Sequence, residues 1–299
     1  MQKGWRKTRV TVAKMISSVK KRFPTLADFR VKRKMMRQDR HAGRETPERH
    51  EHSKNAENPF LAAPNVFETD YTAPRNIFRH WRLRWPGSAS PATVTPMIYE
   101  SFCGGIFETN CYLVQAPEGW ILFDAPDGAC AWLESRGVDP NLLLLTHGHF
   151  DHIPDVAKIK RRFGCPIGCH RQTAPMISDR EFFRGFGFEL EIEPVEPDFF
   201  VEETPARKLL GLEMQVLEVP GHCPGSLCFF SPKDQLLIGG DVLFAGGVGR
   251  WDLPGGDADL LFDGIRKKIF LLGDNVTVLP GHGPPTKIGT ERQTNPFVR

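Results

Sequence analysis

From about residue 95 onward the chain alternates short apolar runs with clusters of turn residues. "MIYESF", "NCYLVQ" and "GWILFDAP" read as strands, and "LLLLT", "PIGCH", "LEMQVLEVP", "SLCFFS", "QLLIGGDVLF" and "NVTVLPGHG" continue the series. Runs of this length bounded by Gly, Pro, Asn or Asp are what buried strands require. Between them, "GACAWLESRG" has helical character and stops at Gly137, while "DVAKIKRRFG" and "DADLLFDGIRKKIFLL" predict two more helices. Strands dominate and helices come at intervals. That pattern predicts a layered α/β architecture, with sheets covered by helices on their outer faces.

The first 92 residues have a different texture. Val12, Met15, Ile16, Val19 and Phe23 recur at helical spacing among Lys14, Lys20, Lys21 and Arg22, and the first acidic residue is Asp28. Such an arm suits an anionic membrane surface or nucleic acid, or an organellar targeting segment. Its composition is also that of a solvated, partly disordered extension, the simplest expectation. Residues 38–58 are almost free of apolar side chains and predict a linker, with His41, His50 and His52 as solvated members of it. "NIFRHWRLRWPG" alternates Trp81, Leu83 and Trp85 with Arg82 and Arg84. A strand packed on the main domain is the simpler reading there, against an aromatic and basic nucleic-acid surface.

Charge sharpens this division. Residues 1–92 hold 21 Lys and Arg against 8 Asp and Glu, whereas residues 93–299 hold 18 against 28. The expected organisation is therefore a basic N-terminal extension and linker over 1–92 and a folded domain over 93–299. All seven cysteines lie in the acidic part, an odd number that suits free thiols in a reducing compartment. No apolar run approaches the roughly 18 residues that a membrane span needs, so a soluble, cytoplasmic protein is expected.

Candidate chemistry starts at "THGHFDH", directly after the leucines. His147, His149, Asp151 and His152 fall within six positions, and imidazole and carboxylate are the donors that a borderline cation such as Zn²⁺ takes. His147 and His149 can face one ion while Asp151 and His152, past a turn, face a second. Three later segments repeat a grammar of apolar run, small-residue turn and one ligand type. "VLEVPGHCPGS" ends in His222, "LLIGGDVLF" in Asp241 and "VTVLPGHGPPT" in His282. A single turn histidine means little; three such corners beside the first motif point together to a metal site.

The set THGHFDH, PGHCPGS, GGDVLF and LPGHGPPT resembles the metallo-β-lactamase-fold hydrolases, within them the glyoxalase II-like (hydroxyacylglutathione hydrolase-like) branch. "FETNCYLV", "ILFDAP", "GVGRWDLPGGD" and "KIGTERQTNPF" match that branch too. The likeness runs over about residues 97–299. It implies a four-layer αββα sandwich in which His147, His149 and His222 hold one metal, Asp151, His152 and His282 the other, and Asp241 bridges both. Two divalent ions are implied, Zn first, with Fe or Mn suited to the same donors. Long glyoxalase II enzymes continue in a helical glutathione-binding region; here 17 residues follow His282, which resembles the shorter branch.

The resemblance implies hydrolysis of a thioester, possibly glutathione-linked, with Asp151 orienting the nucleophile while serving as a ligand. Arg250 and Lys287 are candidate contacts for an anionic substrate. Rival readings are a single-iron persulfide dioxygenase using His147, His222 and Asp241, a true β-lactamase, and a nucleic-acid-directed phosphodiesterase or binder employing the basic arm. Asp241 argues against the β-lactamase, and the acidic balance of residues 93–299 argues against a phosphodiester substrate. Cys165, Cys169 and His170 form a Cys-x3-Cys-His cluster, read as structural because a fourth ligand is missing. Cys223 is read as a small buried thiol.

Overall fold

The computed structural model describes residues 97–184 and 192–298; the expectations for the basic arm, the linker and the 76–87 strand lie outside the described residues. Sheet A is assembled entirely from the first half of this region. Its order is β1 (Tyr99–Gly104), β2 (Thr109–Ala116), β3 (Gly119–Phe123), β4 (Leu142–Leu144), β5 (Ile167–Cys169) and β6 (Phe199–Phe200). β1, β2 and β3 pair antiparallel, and β3 to β6 pair parallel. Sheet B comes from the second half. It comprises β7 (Thr204–Leu209), β8 (Leu212–Glu218), β9 (Leu227–Ser231), β10 (Leu236–Gly240), β13 (Thr277–Pro280) and β14 (Thr286–Lys287), in the order β14-β13-β10-β9-β8-β7. β11 (Leu243–Phe244) and β12 (Gly247–Val248) form a small separate hairpin.

Why the strands read as unbroken apolar runs is visible in where their side chains go. Successive residues of a strand point to opposite faces, so a strand buried on both sides must be apolar throughout. In β2, Tyr112 and Val114 enter the core between the sheets, and Cys111 and Leu113 enter the outer core of sheet A. β4 repeats this: Leu142 and Leu144 face inward, Leu143 and Leu145 outward. On sheet B, Leu227 and Phe229 of β9 meet the central core, and Cys228 and Phe230 face the opposite way.

Helices cover both outer faces. α1 (Ala129–Arg136), α2 (Val156–Phe163) and α3 (Ala174–Ser178) bury Leu133, Ile159 and Met176 against sheet A. α4 (Ala258–Gly264) and α5 (Ile288–Thr294) bury Leu261 and Ile288 against sheet B. Three apolar cores separated by two sheets make four layers, αββα. α1 and α2 stop where expected, with Gly137 (φ 64°) and Gly164 (φ 70°) in the left-handed conformation that ends a helix at no steric cost. The helix expected over "DADLLFDGIRKKIFLL" differs: α4 passes into a π turn (Ile265–Ile269) and then a 3-10 turn (Phe270–Leu272). Its start is as expected, the Asp257 carboxylate accepting from the Leu260 N–H at 3.0 Å.

Candidate metal centre

Each candidate ligand follows a strand end, and both sheets contribute. His147, His149, Asp151 and His152 follow β4 of sheet A; His222 follows β8, Asp241 follows β10 and His282 follows β13, all of sheet B. The rigid, fully buried leucines of β4 fix where the first loop begins. The His282 loop is tied across to sheet A: the Asn110 N–H donates to Gly281 O at 2.7 Å, its side-chain amide to Pro280 O and Gly283 O, and Tyr112 Oη to Pro280 O at 2.7 Å. These contacts explain the "TNCY" of the second strand.

The structure brings all seven residues together. His149 Nδ1 lies 2.7 Å from His222 Nε2, which lies 3.3 Å from His147 Nε2. These three form one group with donor atoms close enough for a single cation; Asp151, His152 and His282 form another. His282 Nε2 is 3.2 Å from Asp151 Oδ2, and His152 Nε2 is 3.7 Å from the same oxygen. Asp241 stands between the groups. Its Oδ2 is 3.4 Å from His222 Nε2 and 3.3 Å from His282 Nε2, and its Oδ1 is 3.3 Å from His152 Nε2.

The backs of the rings are fixed. His222 Nδ1 donates to Arg250 O at 2.8 Å, and His282 Nδ1 to Phe107 O at 3.1 Å. His152 Nδ1 donates to Asp124 Oδ2 at 2.9 Å. With Nδ1 committed to these acceptors, each Nε2 faces the interior of the cluster, where it can ligate once any proton on it is displaced. His152 Nε2 and Asp241 Oδ1 are buried without a hydrogen-bond partner. Orphaned buried polar atoms aimed at a common point are costly unless a cation meets them. The residues therefore fit divalent metal.

Asp124, which the sequence motif "ILFDAP" contains but which spacing alone did not single out, is the organiser behind the ligands. Its Oδ1 accepts the Thr146 N–H and its Oδ2 the Thr146 hydroxyl, both at 2.7 Å, alongside the bond to His152. It adopts φ 61°, an unusual conformation for a residue other than glycine. Thr109 donates to Asp151 Oδ2 at 2.8 Å. A buried acid just past a strand end, within a turn, was the signal available for Asp124.

Electrostatics divide the histidines. Burial lowers the pKa of His147, His149 and His222, that of His149 to about 3, so these rings are neutral and ready to ligate. Burial also opposes charge on His152, but Asp151, Asp241 and Asp124 outweigh it and hold its pKa well above the usual value. His282, where burial likewise works against charge, is pushed up to about 10 through its bonds to Asp151 and Asp241. Burial acts to raise Asp151 and Asp241, yet the neighbouring histidines hold both carboxyls below the usual range.

The weaker substrate candidates separate. Arg250 lies on the loop whose main-chain carbonyl holds His222, and its guanidinium pairs with Asp252 at 2.9 Å. Lys287 pairs in register with Thr277, at the end of β13 away from His282, so the fold does not bring it to the centre. All seven cysteines are free. Cys165 and Cys169 are buried, and burial raises their thiols to about 11 and about 12. Cys223 is buried behind His222 and raised by burial to about 12. Among the described residues no helix is long and apolar enough to cross a membrane.

Two sheets sandwiched by helices, with a His/Asp cluster where loops from both sheets meet, define a metal-binding enzyme scaffold. The model of the metallo-beta-lactamase superfamily matches residues 104–282, and the chain belongs to that superfamily. It is similar to the hydroxyacylglutathione hydrolase GloC of Haemophilus influenzae, 36% identical over 199 residues that cover 64% of this chain and 93% of the relative. The crystal structure of the BLEG-1 B3 metallo-beta-lactamase is similar with TM-score 0.62 and 31% identity, covering 67% of this chain and 99% of that one. The crystal structure of TTHA1623 in a di-iron-bound form has TM-score 0.60 and 37% identity, covering 66% and 99%. The motif resemblance thus holds at the level of the superfamily and its hydrolases, and the αββα expectation holds for the described residues.

Proposed function

We propose that residues 93–299 form a hydrolase of thioesters of the S-2-hydroxyacylglutathione kind. Two divalent cations would be held by His147, His149 and His222 and by Asp151, His152 and His282, with Asp241 within reach of both groups. The observation that supports this most is the position of Asp241, within 3.4 Å of a histidine from each group. When bound, such cations would lower the pKa of a nearby water and polarise a carbonyl oxygen. Zn is the expected metal, and Fe or Mn suits the same donors.

The chain's own side chains supply orientation. Asp151 Oδ2, fixed by the Thr109 hydroxyl, faces the centre and aligns the attacking water. In the net reaction a C–O bond forms at the acyl carbon and the C–S bond breaks. The sulfur departs with the bonding electrons, and one proton of the water ends on the thiol or the solvent. A thiolate leaves readily because its pKa lies at ~8.5, so no strong general acid is needed. No further acid need face the scissile bond. Seven free thiols agree with a reducing compartment, and we place the reaction in the cytoplasm.

The test is turnover of S-lactoylglutathione by the purified, metal-loaded protein, with His149→Ala and Asp151→Ala as controls. Activity in the wild type falling at least ~100-fold in either variant supports the reading; no turnover above those controls ends it. Elemental analysis, oxygen uptake with glutathione persulfide and cephalosporin cleavage are run beside it. One iron per chain with oxygen uptake, or β-lactam turnover exceeding thioester turnover, assigns the rival chemistry instead.

A further inference from the structure

Beside the metal centre lies a small cleft of nearly pure apolar lining. One wall is the imidazole of His149; the others are Phe150, Met176, Phe182 and Phe183 on one side and Leu253 with Pro254 on the other. Apart from His149, none of these side chains offers a charge or a strong hydrogen-bond donor. The open volume is about 30 Å³, room for little more than two water molecules.

The walls are set by close backbone approaches. A Cβ on Gly148 would stand 2.4 Å from Met176 Sδ, so only glycine lets the histidine loop lie on α3. The rings of Phe150 and Phe182 stand edge-on to Phe183, with centroids 5.9 and 5.2 Å from it. Opposite, the "DLPGG" turn is closed by the Gly256 N–H donating to Leu253 O at 2.8 Å. Gly255, at φ 83°, packs where a Cβ would reach 2.8 Å from Pro224. The turn thereby presents Leu253 and Pro254 to the cleft, a task for a motif that metal binding leaves unused.

We infer that this cleft receives the aliphatic tail of the substrate's acyl group and selects a short, uncharged tail, an inference that rests on the thioester reading above. Any 2-hydroxyl is left at its mouth, beside the polar metal centre. A thiol carrier such as glutathione bears carboxylates and an ammonium group. Among the described lining side chains none but His149 offers those groups a hydrogen bond, and the carrier is far larger than the space. The acyl tail meets neither obstacle. Because His149 forms one wall, a tail in the cleft keeps its carbonyl beside the metal groups. Two or three carbons beyond the carbonyl fill the space; a six-carbon chain overfills it, and a terminal carboxylate is left without a partner.

The experiment compares kcat/KM of the full-length, metal-loaded protein on the acetyl, propionyl, butyryl, hexanoyl and succinyl thioesters of glutathione. The expected profile rises from acetyl to propionyl or butyryl, each added methylene being worth roughly 10-fold. It then falls at least ~10-fold at hexanoyl and succinyl. Leu253→Ala shifts the hexanoyl-to-propionyl ratio upward, and Leu253→Trp shifts the propionyl-to-acetyl ratio downward. Ratios within one variant cancel any general loss of folded enzyme. Independently of turnover, saturation-transfer NMR shows contact of the butyrate methyl with the wild type and its loss in Leu253→Trp. A flat profile, or ratios unmoved in both variants, overturns the assignment of the cleft while leaving thioester hydrolysis standing. Absence of turnover on every thioester removes the catalytic reading and the acyl assignment together.

Discussion

Asp124 shows how a residue that touches no substrate can govern the centre. Buried and bonded to Thr146 twice and to His152 once, it fixes the tautomer of one ligand and anchors the start of the histidine loop. Asp124→Asn keeps the shape but loses the anion, and removal of such outer partners costs 10–100-fold in metal affinity. We expect a loss of that size in a chelator-competition titration, with circular dichroism unchanged. The raised pKa values make a second prediction. Without metal, His152 and His282 hold protons at neutral pH, His282 up to about pH 10. Metal must displace both, so loading at pH 7.5 should release about two protons per chain, and affinity should rise with pH from 6 toward 10. Calorimetry in buffers of different ionisation enthalpy measures this; release near zero would contradict it. The sign is opposite for the metal-free fold. The stabilisation that His282 supplies is present in full below pH about 6.5 and lost as pH climbs through about 10.

At the level of elements, the histidine corners were legible because each pairs an apolar strand with a small-residue turn. The structure adds why the small residues are needed. A Cβ on Gly281 would lie 2.1 Å from Asp241 Oδ1 and 2.7 Å from His152 Cε1, inside the centre itself. Gly281→Ala should therefore displace ligands from both groups and lower turnover by about 100-fold, the scale of an ångström-sized misplacement. Steady-state kinetics with metal quantitation checks it, and bound metal at wild-type level with full activity would exclude it. Other elements left little trace in the sequence. β7, "TPARKL", is a half-exposed edge strand and so has no apolar run. α5, "IGTERQT", has a single large apolar residue, Ile288. Its importance is polar: buried Glu291 accepts from the Gly246 N–H, the Thr286 hydroxyl and the Asn295 amide. The uniform helix expected over residues 257–272 gives way after Gly264 to a π turn and a 3-10 turn, and Gly264 packs so closely on Val219, just past β8, that a Cβ would meet it at 2.7 Å. Such packing is set by tertiary contacts, which periodicity cannot report.

For the molecule as a whole, the division of ligands matters most. Each three-residue group takes two members from sheet A's loop and one from a loop of sheet B, with Asp241 of sheet B shared. Bound metal therefore stabilises the packing of the two halves. At a free concentration 100-fold above Kd, one site contributes about 2.7 kcal/mol. In a domain of this size that is worth roughly 5–10 °C in Tm. Thermal unfolding with metal and then with excess chelator should differ by at least that amount; identical transitions would mean the halves do not depend on the site. A layered α/β architecture was foreseeable because strands buried on two faces spell continuous apolar runs; the count of four layers was implied by the motif resemblance. The convergence of the four motif loops was also expected, whereas the role of Asp124 behind them was not, since it depends on tertiary contacts with Thr146 and His152.

The rings of His222 and His282 lean on carbonyls of the main chain, at Arg250 and Phe107, and not on those residues' side chains. Main-chain oxygens are the same whatever residue supplies them. The hydrogen bonds that set these tautomers are therefore independent of side-chain identity at positions 107 and 250. The side chains have contacts of their own: the Phe107 ring packs edge-on against Phe150 of the histidine loop, and Arg250 pairs with Asp252. A library at these two positions that keeps an aromatic at 107 varies the rim while the peptide backbone holds the ring nitrogens of His222 and His282.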